Sequence, residues 1–396
     1  MLLYNSKSRK IEEFKPLNDK EVKIYVCGIT PYDTTHLGHA FTYVAFDVLI
    51  RYLKFKGYKV IYAQNVTDID DDILKRAKET KKNWKELGGF WTNKFLKDMK
   101  ALNVLSPTHF VKATDSIPKM IEIIKSLLQQ KIAYENDGNI YFSIDKFKKY
   151  GELSKLNRDQ MLLIAKDRGG NLNDPKKQDP LDFLLWQHQQ KDEPSWKSPW
   201  GMGRPGWHIE CSAMIRQYLG EQIDIHGGGW DLIYPHHESE IAQSESFTHK
   251  VPYVKYWMHT AMLMFEGEKM SKSLGNLVMV SDLLKKYSAN AIRWVLLSHH
   301  YRTPWEFSFE ELDIAEIEIK KILNALNPYL GKLQTYTVNK FIKEFTGLMD
   351  NDLNTPEALK LIENIVEQIN AGYNKKNISE IQHDLKKISG TLGFSI

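Results

Sequence analysis

Cysteine is scarce in this chain: its 396 residues include only two, Cys27 and Cys211, far apart in the sequence. Two cysteines exclude the dense disulfide framework of small secreted domains. No apolar run approaches the roughly 18 residues of a membrane span, and the N-terminus lacks the pattern of a secretion signal. We therefore expect a cytoplasmic protein without a membrane partner, in which the two thiols are either buried bystanders or ligands.

Excess charge is scarce as well. The net charge is +4 at this length, so the composition does not require a strong polyanion-binding face. Hydrophobic residues make up 42% of the chain, which is enough for a sizeable core. At about 100–200 residues per domain, the length fits a catalytic domain with one or two smaller units.

The first strand-to-helix connection concentrates reactive side chains. A β-branched run at 22–26 predicts a buried strand, and the apolar periodicity of 43–53 predicts a helix. Between them lie Cys27 and two histidines one helical turn apart, His36 and His39. Backbone N–H groups at a helix start attract anions, so this connection is a candidate phosphate site.

A second strand, predicted at 59–63, follows at the spacing of a parallel crossover. Ligands bind at the carboxyl ends of such strands, where residues 65–67 lie. Asp68 and Asp70 come next and are either metal ligands or caps of the following helix, and capping is the favoured interpretation. We expect an α/β fold, a Rossmann-like doubly wound parallel sheet with an inserted connective region and a C-terminal helical bundle. The predicted units are the first half of the catalytic domain, the insertion, the second half, and the helical stem with its bundle: 1–100, 101–200, 201–280 and 281–396.

Four residues from distant segments have the side chains that zinc binds: Cys27, Cys211, His236 and Glu240. His236 and Glu240 are four apart and share one helix face. The close cysteine pairs of a zinc finger are absent, so the set is typical of a catalytic metal at a sheet edge, where an open position would bind a substrate thiolate. The alternative is two buried thiols and a core histidine.

A lysine-serine loop provides candidate phosphate partners. Lys269 and Lys272 lie on this loop, which could close over a nucleotide and stabilise charge on a leaving pyrophosphate. Most such loops are solvated turns, but this one occurs in the same chain as His36 and His39. The glycine run 227–229 at a predicted strand end lets a ligand approach the backbone closely.

Several of these motifs resemble those of a known family. The segments 36–39 and 269–273 resemble the two nucleotide motifs of class I aminoacyl-tRNA synthetases. Cys27 and the segments 207–211, 227–229 and 235–238 narrow the resemblance to the cysteine-activating branch. That branch includes cysteinyl-tRNA synthetase and the mycothiol-pathway ligase that joins cysteine to glucosaminyl-inositol.

Within the branch, the ligase is the closer match. The segments that resemble it are 27–33, 193–196, 300–302 and 351–356. The resemblance also ends where the ligase ends, so we expect no anticodon-binding domain after the helical bundle. We therefore expect tRNA not to be a partner.

The resemblance implies an ATP-dependent ligase that activates L-cysteine as cysteinyl-AMP and releases pyrophosphate. The cysteinyl group would pass to the amine of glucosaminyl-inositol (1D-myo-inositol 2-amino-2-deoxy-glucopyranoside) with release of AMP. One zinc ion per chain, Mg²⁺ arriving with ATP, and a monomer are expected. The alternatives are a C-terminally shortened cysteinyl-tRNA synthetase and a zinc-containing paralogue that binds nucleotide or RNA without catalysis.

The resemblance also assigns residues. Cys27, Cys211 and His236 would hold the zinc, with Glu240 at the position of the synthetases' fourth ligand. The groups with a catalytic role would be His36, His39, Lys269 and Lys272. Asp231 is added as a candidate proton acceptor because of its position beside the glycine turn, not because of the resemblance. The cysteinyl-adenylate site would be lined by Cys27, Gly28, Ile29, Thr30, Thr42, Asn65, Val66, Thr67, Trp207, Gly229, Trp230, Asp231 and a residue near Met262 or Leu263. Trp230 stands where the family usually has a small residue.

Overall fold

The computed structural model describes residues 1–33, 35–270, 274–328, 340–371 and 378–396. The helices, in chain order α1 to α13, are Leu37–Phe55, Asp71–Thr80, Trp84–Ala101, Ile117–Gln129, Arg158–Asp167, Trp207–Tyr218, Glu238–Thr248, Val280–Leu283, Ala289–Ser298, Phe309–Ala325, Lys340–Met349, Thr355–Asn370 and Ile378–Thr391. The strands, β1 to β15, are Leu2–Asn5, Lys10–Glu13, Glu21–Ile29, Lys59–Val66, His109–Lys112, Ala133–Asn136, Asn139–Phe142, Phe183–His188, Trp196–Ser198, Gly201–Pro205, Ile223–Gly229, Val254–Thr260, Leu263–Phe265, Glu268–Lys269 and Trp305–Glu306.

A parallel sheet of five strands forms the centre of the molecule, in the order β12-β11-β3-β4-β5. Its middle strand, β3, is buried on both faces, through Val22, Ile24 and Val26 on one face and Tyr25 on the other. Helix α1 connects β3 to β4 and packs its apolar residues on the sheet. The α/β fold with a parallel sheet and C-terminal helices is therefore confirmed.

Of the two aspartates at the end of β4 that were predicted to cap the next helix, one does so. Asp70 is the N-cap of α2, and its side chain accepts a hydrogen bond from the backbone N–H of Asp72. Asp68 instead accepts hydrogen bonds from the backbone N–H and the hydroxyl of Thr114, beyond β5. One of the two predicted caps thus ties the end of β4 to the segment after the edge strand.

A second sheet of five antiparallel strands, in the order β6-β7-β8-β10-β9, lies between the two halves of the parallel sheet in the sequence. Arg204 on β10 is buried and forms ion pairs with Asp71 at the start of α2 and with Glu193. These contacts fix the inserted sheet against the helix that follows β4. The domain boundaries given above stay a prediction.

The C-terminal helices pack against α1. Buried residues of α9, α10, α11, α12 and α13 belong to one apolar cluster with α1 and the parallel sheet. Among the described residues, none of the helices is long and apolar enough to cross a membrane.

Candidate functional site

Four of the predicted metal ligands come together beneath the carboxyl end of the parallel sheet. Cys27 lies on β3, Cys211 on α6 and Glu240 on α7, and His236 lies in the π-helical turn Ile233–His237. Their ligand atoms all lie within 4.8 Å of one another. Three segments distant in sequence therefore converge on one point, as a catalytic metal site at a sheet edge requires.

The contacts inside this cluster are short and buried. The two sulfur atoms are 3.8 Å apart, and Nε2 of His236 lies 3.4 Å from Sγ of Cys211 and 3.1 Å from Oε1 of Glu240. Cys27 is 6% exposed and the other three side chains are 1% exposed or less. The pair of cysteines is not a disulfide.

The pKa shifts of the cluster indicate that it lacks a positive charge. Burial raises the pKa of Cys27, Cys211 and Glu240, and it lowers the pKa of His236, because each charged form loses its hydration. A divalent cation would supply the missing positive charge and favour the thiolates. Two sulfurs bound to one tetrahedral zinc ion at about 2.3 Å lie about 3.8 Å apart, which matches the observed separation. The donor set therefore fits a zinc ion.

A second ligand set shares two residues with the first. Cys27, His226, His237 and Glu240 also have ligand atoms within 4.8 Å of one another. Nε2 of His226 lies 2.9 Å from Oε2 of Glu240, and Nε2 of His237 lies 3.2 Å from Sγ of Cys27. Glu240 thus contacts His236 with one oxygen and His226 with the other.

Histidines continue outward from the cluster, and the sequence analysis assigned them no role. Nδ1 of His237 lies 2.8 Å from Nε2 of His259, and Nδ1 of His259 lies 2.8 Å from the Ser6 hydroxyl. On the other side, Nδ1 of His208 lies 3.1 Å from Nδ1 of His236. The spacing of His208 three residues before Cys211 is the one signal that could have placed it on the same helix face.

Trp207 borders the cluster. Its ring stacks on the His236 ring, with centroids 4.3 Å apart and planes inclined by 20°. The side chain is partly exposed, so one part of the indole is open to the surroundings of the cluster. This position agrees with the expectation that Trp207 packs against a substrate side chain, which stays a prediction.

The start of α1 holds the two predicted phosphate-binding histidines. His36 is the N-cap, and its Nδ1 accepts a hydrogen bond from the backbone N–H of Gly38. The His36 and His39 rings lie together, with centroids 3.8 Å apart. Burial lowers the pKa of His36 to about 2 and that of His39 to about 4. Both imidazoles are therefore neutral at pH 7.

The predicted lining residues of β3, α1 and β4 form a connected set. The backbone N–H of Gly28 donates to Oδ1 of Asn65, and Nδ2 of Asn65 donates to the Thr67 hydroxyl. A Cβ atom on Gly28 would lie 1.6 Å from the carbonyl oxygen of Asn65, so only glycine fits there. The hydroxyl of Thr42 is hydrogen-bonded to that of Thr260.

The remaining lining residues of this region differ in exposure. Val66 and Ile29 are buried side chains behind this set, and Thr30 is partly exposed.

The end of β11 brings the next group to the same edge. Gly229 ends β11, and Trp230, which follows, is 52% exposed. Oδ2 of Asp231 pairs with Nη1 of Arg168 at 3.3 Å. Arg168 comes from the segment after α5, so this ion pair joins the inserted region to the edge of the parallel sheet.

The predicted lysine-serine loop is described only in part. Met262 and Leu263 lie after β12, with Met262 partly exposed and Leu263 buried. Lys269 is exposed on β14, and Met270 is buried. Lys272 lies outside the described residues, so its predicted phosphate contact has no structural counterpart here.

Two family models match the chain. The model described as the catalytic domain of tRNA synthetases class I (C) matches residues 13–318, and the one described as the DALR domain matches residues 344–396. The chain belongs to the class I tRNA synthetase family. Its curated relatives include the Cysteine--tRNA ligase of Dehalococcoides mccartyi, 45% identical over all of this chain and 86% of that protein. The Cysteine--tRNA ligase of Thermococcus gammatolerans is 46% identical over 93% of this chain and 79% of that protein.

Solved class I tRNA synthetases share the fold. The Mycobacterium tuberculosis methionyl-tRNA synthetase in complex with methionyl-adenylate superposes with a TM-score of 0.65, covering 94% of this chain and 89% of that one. The Agrobacterium radiobacter LeuRS–tRNA–LeuAMS ternary complex gives 0.67, covering 96% and 84%. Their identities to this chain are 14% and 10%, so they show the fold alone.

The relatives correct two predictions about this synthetase chain. The relatives are named Cysteine--tRNA ligase, and their similarity extends over 100% and 95% of this chain. They therefore place the chain in the cysteine-activating branch. The predicted transfer of cysteine to an amino-sugar inositol is therefore wrong, and so is the prediction that tRNA is not a partner. Short segments such as 27–33 do not separate the two members of the branch, whereas similarity over the length of the chain does.

Proposed function

We propose that this protein is an ATP-dependent cysteine–tRNA ligase. The cysteine carboxylate attacks the α-phosphate of ATP, which forms cysteinyl-adenylate and releases pyrophosphate. A terminal ribose hydroxyl of tRNA then attacks the carbonyl carbon, which forms the ester and releases AMP. The observation that carries this proposal is the buried Cys/His/Glu cluster beside the start of α1, in a chain that is 45% identical over its whole length to Cysteine--tRNA ligases.

We propose zinc as the resident metal, held by Cys27, Cys211 and His236, with Glu240 as a fourth ligand in the absence of substrate. A bound zinc ion prefers thiolate to hydroxyl ligands and would therefore select cysteine over serine. A site that discriminates by a metal–ligand bond needs no second, hydrolytic site. Trp207, stacked on His236, would close the side of the pocket that holds the cysteine side chain.

The phosphates of ATP are assigned to the start of α1. His36 and His39 are neutral, so they would act as hydrogen-bond donors or acceptors rather than as cations. The backbone N–H groups of the first helical turn and the exposed Lys269 would supply the positive potential. Gly28 and Gly229 would let the adenylate approach the backbone at the carboxyl ends of β3 and β11, and Thr42 would line the site from α1.

The deciding experiment offers both acceptors in parallel. Purified protein is incubated with cysteine and ATP, and AMP release is followed with tRNA or with glucosaminyl-inositol. We expect cysteine-dependent pyrophosphate exchange without acceptor, and rapid AMP release with tRNA alone. Faster AMP release with glucosaminyl-inositol would contradict the proposal. Serine in place of cysteine is the control for the amino acid, and it should support neither reaction.

A further inference from the structure

Glu210 is a buried carboxyl group that the Thr67 hydroxyl contacts, and one of its two oxygens lacks a hydrogen-bond partner. Its side chain is 1% exposed, and no hydrogen bond reaches its Oε2 atom. A buried carboxylate without a compensating group costs several kcal/mol by the usual order of magnitude. Glu210 lies in the first turns of α6, between Trp207 and Cys211. None of the roles described above uses it.

The surroundings of Glu210 are neutral or acidic. The groups that face it are the Thr67 hydroxyl, the Asp68 and Asp70 carboxylates, and the Cys211 thiol. None of the ion pairs found in the described ranges includes Glu210. Asp68 is held by Thr114, and Asp70 caps α2.

A basic side chain close to Asp70 is already paired with other carboxylates. Arg204 acts on Asp70 only electrostatically, because its guanidinium forms ion pairs with Asp71 and Glu193. The carboxyl groups of Glu210, Asp68 and Asp70 at the end of β4 therefore have no ion-pair partner among the residues that the structure describes.

The position of this region matches one part of the proposed substrate. Cys211, the next residue, belongs to the cluster that would bind the cysteine thiol. Thr67 joins the region to Asn65 and, through it, to the backbone of Gly28 beside Cys27. In free cysteine a two-carbon spacer separates the thiol from the α-ammonium group. A cysteine whose sulfur lies at the cluster therefore brings its positive charge within reach of the end of β4.

We infer that Glu210 binds the α-ammonium group of the cysteine substrate through Oε2, with the Thr67 hydroxyl as the neighbouring partner. This inference rests on the proposed function, because it requires cysteine to be the amino acid bound at the cluster. Glu210 is then a specificity residue: the metal binds the thiol of the amino acid, and Glu210 binds its α-ammonium group. A thiol without an α-ammonium group would be bound at one end only.

The test compares cysteine with 3-mercaptopropionate, which is cysteine without the ammonium group. Cysteine-dependent pyrophosphate exchange gives the KM for cysteine, and competitive inhibition of that exchange gives the Ki for 3-mercaptopropionate. For Glu210→Gln we expect the cysteine KM to rise about 10- to 100-fold, since a charge-assisted hydrogen bond is lost. The Ki for 3-mercaptopropionate should stay within about threefold of the wild-type value, because that ligand never used the carboxylate.

Two further variants keep the result interpretable. Glu210→Asp retains the charge on a shorter side chain, so its cysteine KM should rise less than that of Glu210→Gln, and it covers the case in which the amide variant does not fold. Asp98→Asn is the matched control, because Asp98 on α3 is also a buried carboxylate with an unpartnered oxygen but lies outside the site. Its KM and Ki values should equal those of the wild type.

The outcomes separate the inference from the proposed function. An unchanged cysteine KM in both Glu210 variants would overturn the inference, and so would equal rises in the KM and in the Ki, since these indicate a general loss of structure. Absence of cysteine-dependent exchange in the wild-type protein would instead overturn the proposed function.

Discussion

The neutral imidazole of His39 makes the stability of the fold depend on pH. His39 is held with its pKa lowered to about 4 by burial, against 6.5 for an ordinary histidine. The unfolded chain therefore binds a proton on His39 between these two values and the folded chain does not. Stability from this group is fully present above pH 6.5 and is lost as the pH falls towards 4.

We expect His39→Gln to reduce the acid sensitivity of the fold. Between pH 7 and pH 5 the wild-type free energy of unfolding should fall by about 1–2 kcal/mol more than that of the variant. Urea unfolding at both pH values measures this difference. Because other buried histidines titrate in both proteins, only the difference between the proteins reports on His39. An equal loss in both would show that the burial of His39 has no energetic effect.

The exposed ring of Trp230 lies where it could stack on the adenine base. It is half exposed and follows the glycine that ends β11, at the edge where the adenylate is proposed to lie. Stacking of a base on an aromatic ring contributes about 1–3 kcal/mol. Trp230→Ala should therefore raise the KM for ATP in pyrophosphate exchange about 5- to 50-fold, and Trp230→Phe should raise it much less.

The control for Trp230 is another exposed aromatic residue. Phe90 on α3 is 60% exposed, and Phe90→Ala should leave the KM for ATP at the wild-type value. The KM for cysteine should not change in any of these variants. A normal KM for ATP in Trp230→Ala would exclude the proposed stacking.

The sequence allowed the metal-site residues to be predicted better than their surroundings. Cys27, Cys211, His236 and Glu240 are residue types with few structural uses in that combination, so their convergence could be expected from chemistry. His226 and His259 could not be found in this way, because a histidine at a strand end is equally compatible with the core. Only the distances from His226 to Glu240 and from His259 to His237 reveal that they extend the cluster.

At the scale of elements, β3, α6 and α7 meet at the metal cluster, and α6 and α7 are also joined by hydrogen bonds from Gln243 and Ser244 to the Ser212 hydroxyl. The cluster places buried polar atoms between the three elements, and a bound cation would attract the thiolates and the carboxylate to one point. Removal of the metal with a chelator should lower the melting temperature by about 5–10 °C. It should also make Cys27 and Cys211 react with a thiol reagent that the intact protein resists.

Metal content and thiol counts test this together. Elemental analysis should find one zinc ion per chain, and re-addition of zinc should restore both the melting temperature and the protection of the thiols. Cys211→Ala is the matched control: it should bind little zinc and show almost no further response to the chelator. Protein that is purified without metal and melts at the same temperature after zinc addition would contradict the prediction.

The central elements were predictable, and their ends were not. The predicted helix 43–53 is part of α1, which begins earlier, at Leu37, because the His36 side chain caps the helix ahead of the apolar run. Likewise β3 extends to Ile29, since pairing with β4 continues past the apolar run. The edge strand β5 has four residues, and so short a segment contains too little periodicity to distinguish a strand from a helix.

At the scale of the whole molecule, one buried ion pair joins α1 to the C-terminal helices. Asp47 on α1 pairs with Arg293 on α9 and with Arg51, and its other oxygen accepts from the backbone N–H of Leu105. Arg293 also donates to the carbonyl oxygens of Leu102 and Leu392. The helix that starts at His36 is thus fixed, at its middle, to the end of the region that matches the DALR domain.

Removing the charge of Asp47 should therefore destabilise the whole protein. In Asp47→Asn the guanidinium of Arg293 stays buried without its counter-ion, and such a loss costs about 3–5 kcal/mol. A shift of the urea-unfolding midpoint measures the effect. Asp350→Asn is the control, because Asp350 also contacts α1 through Tyr52 and Lys56 but is 30% exposed, and its loss should cost about 1 kcal/mol or less.

A double variant separates an unpaired charge from a lost contact. If the cost in Asp47→Asn comes from the isolated guanidinium, then adding Arg293→Met should recover part of the lost stability, because the buried charge is then gone. If the cost comes from lost hydrogen bonds alone, the second substitution should add to the first, since Leu102 and Leu392 also lose their donor. A double variant less stable than Asp47→Asn would refute the charge explanation and leave a network of hydrogen bonds as the link between α1 and the C-terminal helices.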